Sequence, residues 1–252
     1  MFDFGSIVAM QCAIVIPARM ASTRFPGKPL CDLCGKPMIR WVYDAAIRSG
    51  VAETVIVASP DDEILSVAQD FGAQALKTRS DHLSGTDRIA EVAEEAKFDF
   101  YVNVQGDEPL IDPASIQACA KPLSENLDVS MASVFAVCPE DEVDNPSVVK
   151  VVTDGQGFAL YFSRFSIPYP RNPRQAPVKK HIGIYAYRRD VLLDFARWQP
   201  TPLERAESLE QLRFIENGVR IKMSEGKGSM VSVDTPEQAD QVREFIRRGV
   251  IG

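Results

Sequence analysis

Short apolar runs alternate with amphipathic stretches through the first hundred residues, and this alternation limits the fold more than any other feature. The apolar runs are rich in β-branched and aromatic residues, which is typical of buried strands, and each is followed by apolar residues at helical spacing. Repeated strand–helix units of this kind predict an α/β sandwich with a mainly parallel sheet. The predicted strands are 12–17, 54–58, 73–77 and 100–104, and the predicted helices are 36–49, a helix ending at Phe71, and 87–96.

The second half of the chain is less regular. A hairpin turn is favoured by Asp154-Gly155-Gln156-Gly157, and residues 168–180, which contain four prolines, predict an exposed loop. We expect one domain over 11–249, after an N-terminal extension at 1–10. The predicted strands are 129–137, 148–152, 158–162 and 181–187, and the predicted helices are about 189–197, 203–215 and 236–248.

Charge and composition exclude two classes of protein. The 252-residue chain has a formal net charge of −7 and a pI near 5.0, which disfavours binding to the phosphate backbone of nucleic acids. No run approaches the roughly eighteen apolar residues of a membrane helix, and the first ten residues lack the basic residue of a secretory signal. We therefore expect a cytoplasmic protein without nucleic-acid binding or membrane insertion.

The five cysteines do not predict a disulfide framework, because their number is odd and they are scattered. Cys31 and Cys34 form a C-x-x-C pair, which is half of a zinc site or a redox pair. The sequence offers no further zinc ligands nearby, since it has no second C-x-x-C pair and His82 and His181 lie far from each other. We favour two small residues in a turn over a metal or redox role.

The loop after the first predicted strand concentrates cationic and hydroxyl side chains. Arginine grips phosphate oxygens in a fork, and lysine adds a point charge. The loop lacks the G-x-x-x-x-G-K-[ST] and G-x-G-x-x-G patterns, and a solvated basic loop stays an alternative to phosphate binding. The candidate ligands are Arg19, Ser22, Arg24 and Lys28.

Two acidic residues follow predicted strands and are candidate metal ligands. Asp107 lies in QGDEP, directly after the strand at 100–104 and facing the basic loop. Mg²⁺ prefers one or two carboxylates together with phosphate oxygens and water. Asp234, in SVDTPE, fits the same role, but it also fits the N-cap of the helix at 236–248, and both alternatives stay open.

The segment HLSGTDR at 82–88 places small hydroxyl residues and a glycine before a helix. Backbone amides at a helix start bind a base edge or a phosphate, with Arg88 one turn further on. Alternatively, Ser84 or Thr86 merely caps the helix. The spacing alone does not decide between binding and capping.

Taken together, these segments resemble the bacterial CMP-Kdo synthetases, the 3-deoxy-manno-octulosonate cytidylyltransferases. The resemblance runs from about residue 12 to 245 and is specific because many weak motifs occur in the family's order. It implies a nucleotidyltransferase-like α/β fold with a smaller sugar-binding and dimerisation lobe at about 145–215, acting as a homodimer. The motifs include IPARMASTRFPGKPL, HLSGTDR, VNVQGDEPLI, NPSVVKVV, HIGIYAYR, LEQLRF and SVDTPE.

The resemblance also implies residue roles. Lys28, Arg19 and Asp107 would be catalytic, and Asp107 and Asp234 would hold Mg²⁺. The triphosphate and cytidine of CTP would contact Arg19, Ser22, Arg24, Lys28, Ser84, Gly85, Arg88 and Gln105. The sugar acid Kdo would contact Arg164, His181, Tyr185, Glu210 and Gln211.

The implied reaction is attack of the anomeric hydroxyl of Kdo on the α-phosphorus of CTP, giving CMP-Kdo and pyrophosphate for lipopolysaccharide or capsule synthesis. No general base is identified, and His181 is expected to bond a sugar or a core partner instead. Asp87 replaces a common glutamate of the family, a shortening that we expect to be tolerated. The segment at 168–180 is short, which leaves 8-amino-Kdo as an alternative acceptor.

Three other functions stay open at this point. A sialic-acid cytidylyltransferase or a sugar-1-phosphate nucleotidyltransferase shares the early arginine and glycine-lysine loop. A catalytically silent nucleotide-binding protein on the same fold predicts damaged charge positions. That alternative fits less well, because Arg19, Lys28 and Asp107 are present.

Overall fold

The computed structural model describes residues 10–227 and 231–249. The predicted N-terminal extension at 1–10 lies outside the described residues except for Met10, which packs against the core. Within the two ranges, no helix is both long and apolar enough to cross a membrane.

The described ranges form nine strands and eight α-helices. The strands are β1 (Cys12–Pro17), β2 (Thr54–Ser59), β3 (Gln74–Lys77), β4 (Phe100–Asn103), β5 (Met131–Val137), β6 (Lys150–Thr153), β7 (Ala159–Ser163), β8 (Lys179–Arg188) and β9 (Ile221–Glu225). The helices are α1 (Met38–Arg48), α2 (Asp62–Asp70), α3 (Gly85–Glu95), α4 (Pro113–Glu125), α5 (Arg189–Phe195), α6 (Pro202–Glu207), α7 (Gln211–Glu216) and α8 (Pro236–Arg247).

These strands form one mainly parallel sheet, which confirms the predicted fold class. Four strands run in one direction in the order β3-β2-β1-β4. β8 is antiparallel to β4 on one side and to β5 on the other, and β9 is parallel to β5. β6 and β7 form an antiparallel hairpin that joins β8 through β6.

Helices cover both faces of the sheet because the central strands are apolar on both faces. In β1, Ile14 and Ile16 face one hydrophobic core, whereas Ala13 and Val15 face the other. Side chains of α1, α2 and α4 fill the first core, and side chains of α3, α5 and α7 fill the second. The result is the predicted three-layer sandwich.

The order of strands reverses at β1, and this reversal positions the site. The chain adds β2 and β3 on one side of β1, and β4 then pairs on the other side. Ligands of open α/β sheets bind at such a reversal, beyond the carboxyl ends of the strands. The loops after β1 and β4 approach closely there, because a Cβ at Gly106 would lie 2.9 Å from the carbonyl oxygen of Pro17.

The hairpin of β6 and β7 is held by polar contacts as well as by packing. The carboxylate of Asp154 accepts hydrogen bonds from the backbone N–H groups of Gln156 and Phe158 at 2.9 and 2.8 Å, which confirms the predicted turn. The fully buried Lys150 donates from Nζ to three backbone carbonyl oxygens, and burial lowers its pKa. Those carbonyls belong to Asn145, Val148 and Arg164.

Some elements differ from the sequence prediction. The pattern does not predict α4, which contains Pro122, or β9, which is short and carries charged residues. The predicted helix at 203–215 is wrong as one element: Ser208 adopts a left-handed φ of 52°, which ends α6 before α7 begins. The boundaries of a smaller lobe at about 145–215 stay a prediction.

Gly226, directly after β9, occupies a place where no side chain fits. A Cβ there would lie 2.6 Å from Cγ1 of Val134 and 2.8 Å from Oγ of Ser115. We expect Gly226→Ala to lower the free energy of unfolding by about 1–3 kcal/mol, as overpacking does elsewhere. Urea denaturation measures the change. Gly183→Ala is the control, because a Cβ there meets nothing within 4 Å, and equal losses for the two variants would contradict the packing argument.

Candidate active site

A cleft of about 710 Å³ opens at the carboxyl ends of β1 and β4. It brings together the basic loop after β1, the start of α3, the loop after β4 and the segment before α8. Its lining includes every residue predicted to contact phosphate, cytidine or metal: Arg19, Ser22, Arg24, Lys28, Ser84, Gly85, Arg88, Gln105, Asp107 and Asp234.

Hydrogen bonds give the loop after β1 a defined shape. The N–H of Met20 donates to the carboxylate of Asp61 at 2.7 Å, and the N–H of Gly27 donates to the carbonyl of Met20 at 3.1 Å. The first bond ties the loop to the end of β2, and the second closes the loop on itself. Lys28 therefore enters the cleft from a fixed backbone, with 13% of its side chain exposed.

Lys28 lies between the two predicted metal ligands. Its Nζ is 2.9 Å from Oδ2 of Asp107 and 3.1 Å from Oδ1 of Asp234. Nη2 of Arg24 is 3.1 Å from the other oxygen of Asp234. Burial lowers the pKa of Lys28, but the two carboxylates outweigh burial and raise the pKa overall. Lys28 is therefore a cation at neutral pH.

The segment before α8 decides between the two alternatives for Asp234. The N-cap of α8 is Thr235, whose side chain accepts a hydrogen bond from the N–H of Gln238 at 3.4 Å. The capping alternative for Asp234 is therefore wrong. The N–H of Val233 donates to the carbonyl of Asp107 at 2.9 Å, and this bond brings the two carboxylates to the same cation.

The start of α3 both caps the helix and lines the cleft. Oγ of Ser84 accepts from the N–H of Asp87 at 3.2 Å, and the N–H of Ser84 donates to Oδ2 of Asp87 at 3.1 Å. The shorter Asp87 thus closes the capping box. Gly85 lines the cleft in the first turn, where backbone N–H groups lack partners within the helix.

Arg88 and His82 form the inner wall beside this turn. Arg88 is nearly buried and donates to the hydroxyl of Thr78, and its pKa is lowered by burial and by the charge of Arg19. His82 lines the cleft and pairs through Nε2 with Glu91. No role in the site was predicted for His82, although its place just upstream of Ser84 in HLSGTDR was a usable signal.

Asn103 is a second residue that the sequence analysis missed. It is completely buried in β4, and its Oδ1 accepts from Nε2 of Gln105 at 3.0 Å. Asparagine is disfavoured inside an apolar strand, so its presence in FYVN was a usable signal. The contact orients the amide of Gln105 at the edge of the cleft.

Four of the predicted sugar contacts gather behind the cleft, outside its lining. The hydroxyl of Tyr185 donates to Oε1 of Gln211 at 3.3 Å, and the rings of Tyr185 and His181 lie 5.3 Å apart. Nε2 of Gln211 is buried without a hydrogen-bond partner among the described residues. A buried polar atom without a partner costs about 1–3 kcal/mol, so this amide is suited to a polar ligand.

Glu210, the fourth of these residues, connects the cluster to the start of α3. Its carboxylate accepts a hydrogen bond from the hydroxyl group of Thr86. Burial raises the pKa of Glu210, and hydrogen bonding to the carboxylate only partly opposes the effect. The cluster behind the cleft is thus joined to the start of α3 through one buried carboxylate.

Arg164, the fifth predicted sugar contact, is bonded to backbone carbonyl oxygens. Its guanidinium donates to the carbonyl oxygens of Glu207, Pro146 and Ser208 at 2.8, 3.0 and 3.3 Å. Pairing with a sugar carboxylate would require Arg164 to exchange some of these partners. That role stays a prediction.

The pair of carboxylates at Lys28 fits Mg²⁺. Asp107 and Asp234 supply hard oxygen donors that converge on one cation, and Mg²⁺ typically takes one or two carboxylates plus phosphate oxygens and water. Cys31 and Cys34, by contrast, are free thiols in the turn before α1, and Sγ of Cys34 lies 3.6 Å from the carbonyl of Arg243.

His181 is expected to stay neutral through the physiological range. Its Nε2 lies 2.9 Å from Oγ of Ser133, its ring packs edge-on against Phe162, and burial lowers its pKa to about 3. We expect its ring NMR signals, assigned with His181→Gln, not to titrate between pH 5 and 8. Unfolded histidine protonates near pH 6.5, so this residue's contribution to stability falls as the pH drops from about 6.5 towards 3. A midpoint above pH 5 in the folded protein would contradict the expectation.

Sequence comparisons identify relatives over nearly the whole chain. A family model described as cytidylyltransferase matches residues 13–221. The 3-deoxy-manno-octulosonate cytidylyltransferase of Aliivibrio fischeri (strain ATCC 700601 / ES114) is 45% identical over 250 residues, covering 95% of this chain and 100% of the relative. That of Syntrophotalea carbinolica is 46% identical over 248 residues, covering 94% and 99%.

Solved structures agree with these relatives. A CMP:2-keto-3-deoxy-manno-octonic acid synthetase complexed with CTP has a TM-score of 0.92 at 43% identity, covering 95% of this chain and 99% of its own. A 4-diphosphocytidyl-2C-methyl-D-erythritol synthase from Anaerococcus prevotii, with a TM-score of 0.64 at 10% identity over 95% of this chain and 100% of its own, shares the fold alone. The chain is therefore an enzyme of the nucleotidyltransferase type, and it belongs to the cytidylyltransferase family and, within it, to the 3-deoxy-manno-octulosonate cytidylyltransferases.

Proposed function

We propose that the enzyme transfers the CMP group of CTP to the anomeric hydroxyl of Kdo, giving CMP-Kdo and pyrophosphate. The observation that carries this proposal is the meeting of Lys28, Asp107 and Asp234 in the cleft at β1 and β4. Cations beside a carboxylate pair suit a triphosphate with a divalent metal ion. Membership of a family whose relatives are named for Kdo supports the acceptor.

CTP occupies the cleft with its phosphates over the loop after β1. Arg19, Arg24 and Lys28 supply the cations, and the exposed guanidinium of Arg19 has no ion-pair partner in the described part of the chain. Ser22 lies in the same loop, where its Oγ accepts from the N–H of Phe25 at 3.3 Å. The cytidine contacts Ser84, Gly85, Arg88 and Gln105, and a cleft of about 710 Å³ is large enough for a nucleotide.

Asp107 and Asp234 are the residues that would hold Mg²⁺. The chemistry such an ion would supply is that of a Lewis acid, which would neutralise charge on the phosphates and make the α-phosphorus more electrophilic. The bond between Val233 and Asp107 keeps the two carboxylates at one place during the reaction. This arrangement is preorganised, so little rearrangement of the loops is needed when substrates bind.

Kdo binds on the side of Tyr185, His181, Glu210 and Gln211. The unpartnered Nε2 of Gln211 supports this placement, because a sugar hydroxyl or carboxylate would satisfy it. Arg164 supplies a charge for the acid group of the sugar after releasing carbonyl partners. Acceptor and nucleotide therefore meet at the start of α3, where Glu210 bonds Thr86.

The protein catalyses the transfer mainly by alignment and by charge. Binding both substrates in one cleft aligns the sugar hydroxyl, the α-phosphorus and the leaving oxygen, which removes much of the entropic barrier. Lys28 and Arg19 neutralise charge that develops on the phosphates and on pyrophosphate. His181 does not serve as general base in this scheme, because its lowered pKa makes it a weak base and it bonds Ser133.

The setting of the reaction is also part of the proposal. The enzyme works in the cytoplasm, supplying activated sugar for lipopolysaccharide or capsule synthesis, and acts as a homodimer. Support for the homodimer comes from Leu160, Phe165 and Tyr169, which are large, apolar and exposed by 58, 82 and 85%. These three residues lie within the predicted lobe at about 145–215.

The acceptor is tested by pyrophosphate release. With Mg²⁺ and CTP, we expect the purified enzyme to release pyrophosphate with Kdo and to prefer Kdo over 8-amino-Kdo and sialic acid. If the enzyme prefers another acid, the reaction type stands and the acceptor is not Kdo. If folded protein that binds CTP releases no pyrophosphate with any acceptor, a non-catalytic nucleotide-binding protein is favoured.

Asp107 tests the metal role. We expect Asp107→Asn to reduce metal-dependent turnover by about 10²-fold or more without unfolding the protein, because it removes a carboxylate that holds the ion at the phosphates. Asp62→Asn is the matched control, since Asp62 pairs with Lys77 on the surface and is not part of the cleft lining. Steady-state kinetics measure turnover, and circular dichroism checks the fold. Near-native activity of Asp107→Asn would remove Asp107 as a principal ligand.

A further inference from the structure

Lys28 takes up the oxygen atoms that a metal ion would need. Its Nζ donates to one carboxylate oxygen of Asp107 and to one of Asp234, at 2.9 and 3.1 Å. Arg24 holds the second oxygen of Asp234 at 3.1 Å. Three of the four oxygens of the carboxylate pair are therefore engaged by side-chain cations of the chain itself.

The ammonium and a magnesium ion cannot use these oxygens at the same time. Mg²⁺ binds oxygen at 2.0–2.1 Å in a nearly octahedral shell, which is about 1 Å shorter than the contacts of Nζ. An ion held by both carboxylates would lie within a few ångströms of Nζ, and two cations at that distance repel strongly in a partly buried place. Release of Lys28 from Asp107 and Asp234 would therefore favour an ion that is held by both carboxylates.

Charge decides when the exchange is favourable. Arg24 and Lys28 balance Asp107 and Asp234, so the four side chains together are neutral. A divalent ion makes the same cluster carry two positive charges. The released ammonium then needs a new anionic partner, and a triphosphate in the same cleft supplies one.

We infer that Lys28 is a built-in competitor of the metal ion, and that the ion and the nucleotide bind cooperatively because each favours the release of Lys28 from Asp107 and Asp234. The inference rests on the proposed metal site and adds the exchange of Lys28 between carboxylates and phosphates. Without nucleotide, Lys28 keeps the carboxylates paired and the affinity for metal low. With nucleotide, the phosphates take the ammonium and the carboxylates become available.

Binding of Mn²⁺, followed by electron paramagnetic resonance, tests the inference without measuring turnover. In the wild-type protein we expect weak Mn²⁺ binding alone and binding at least about tenfold tighter with CTP. Without CTP, Lys28→Met should bind Mn²⁺ at least about tenfold more tightly than wild type does. Adding CTP should then raise the Mn²⁺ affinity of Lys28→Met by a smaller factor than it does for wild type. Mn²⁺ affinity of Lys28→Met no higher than that of wild type, in the absence of CTP, would overturn the inference.

A control separates competition for the carboxylates from general charge. Arg19→Met removes the same unit charge from the same cleft, but Arg19 has no ion pair with either aspartate. We expect its Mn²⁺ affinity without CTP to stay within about threefold of wild type, because an exposed charge that contacts neither aspartate is screened by solvent and acts weakly. If Arg19→Met and Lys28→Met gain Mn²⁺ affinity equally, the gain comes from the lost charge alone, and the proposed exchange of Lys28 is wrong.

Asp107→Asn distinguishes failure of the inference from failure of the proposed site. If wild type with CTP binds Mn²⁺ and Asp107→Asn does not, the metal site stands and the Lys28 variants decide the inference. If Asp107→Asn binds Mn²⁺ as wild type does in the presence of CTP, the metal site is wrong and the inference falls with it.

Chemical labelling gives a second measurement on the wild-type chain. The side chain of Lys28 is 13% exposed, whereas that of Lys77 is 61% exposed and pairs with Asp62 elsewhere on the surface. We expect acylation of Lys28, measured by mass spectrometry, to rise when Mn²⁺ is added at saturating concentration without nucleotide, while acylation of Lys77 stays constant. Unchanged labelling of Lys28 would contradict its release.

Discussion

The parallel pairing of β1 with β4 is the interaction on which the rest of the molecule depends. It places the ends of two strands that are distant in sequence side by side, and helices on both faces bury the apolar side chains that make this pairing stable. The basic loop and both candidate metal ligands are attached to these two ends or hydrogen-bonded to them. The basic loop continues β1, Asp107 follows β4, and Asp234 is tied to Asp107 through Val233.

The site divides into a rigid part and a part with unused hydrogen-bonding capacity. In the loop after β1 and at the start of α3, the backbone bonds of Met20 and Gly27 and the capping box of Ser84 fix the conformation. Behind the cleft, Gln211 has a buried donor without a partner in the described ranges, and Arg164 donates to backbone carbonyl oxygens. The second part is therefore the one where a polar ligand would satisfy groups that the protein leaves unpaired.

Much of the fold and of the cleft at β1 and β4 can be predicted from the sequence. The alternation of strands and helices predicts the sandwich, and the position of charged residues after β1 and β4 predicts the cleft, because carboxyl ends of parallel strands share one edge. The sequence does not decide which of two neighbouring residues takes a local role when both are suited to it. Asp234 and Thr235 are both good N-caps, and only the hydrogen bond of Thr235 with Gln238 shows which one caps.

The remaining misses have similar physical reasons. The break between α6 and α7 depends on a left-handed serine, which no local pattern requires. Asn103 and His82 act through Gln105 and Glu91, two and nine residues further along the chain, and their roles appear only when those partners are placed in space. The specific substrate, by contrast, is indicated by the ordered motifs of the family. Distances and charges identify a phosphate site, but they do not distinguish one sugar from another.

The exposed segment at 166–178 between β7 and β8 has a consequence for how such enzymes diversify. It contributes only Val178 to a buried hydrophobic cluster, and that residue adjoins the start of β8. Lengthening a surface connection costs little free energy, since the entropy of closing a loop grows only logarithmically with length. Insertions and deletions there should therefore cost little stability, and they would reshape the surface beside β8 without touching the lining of the cleft.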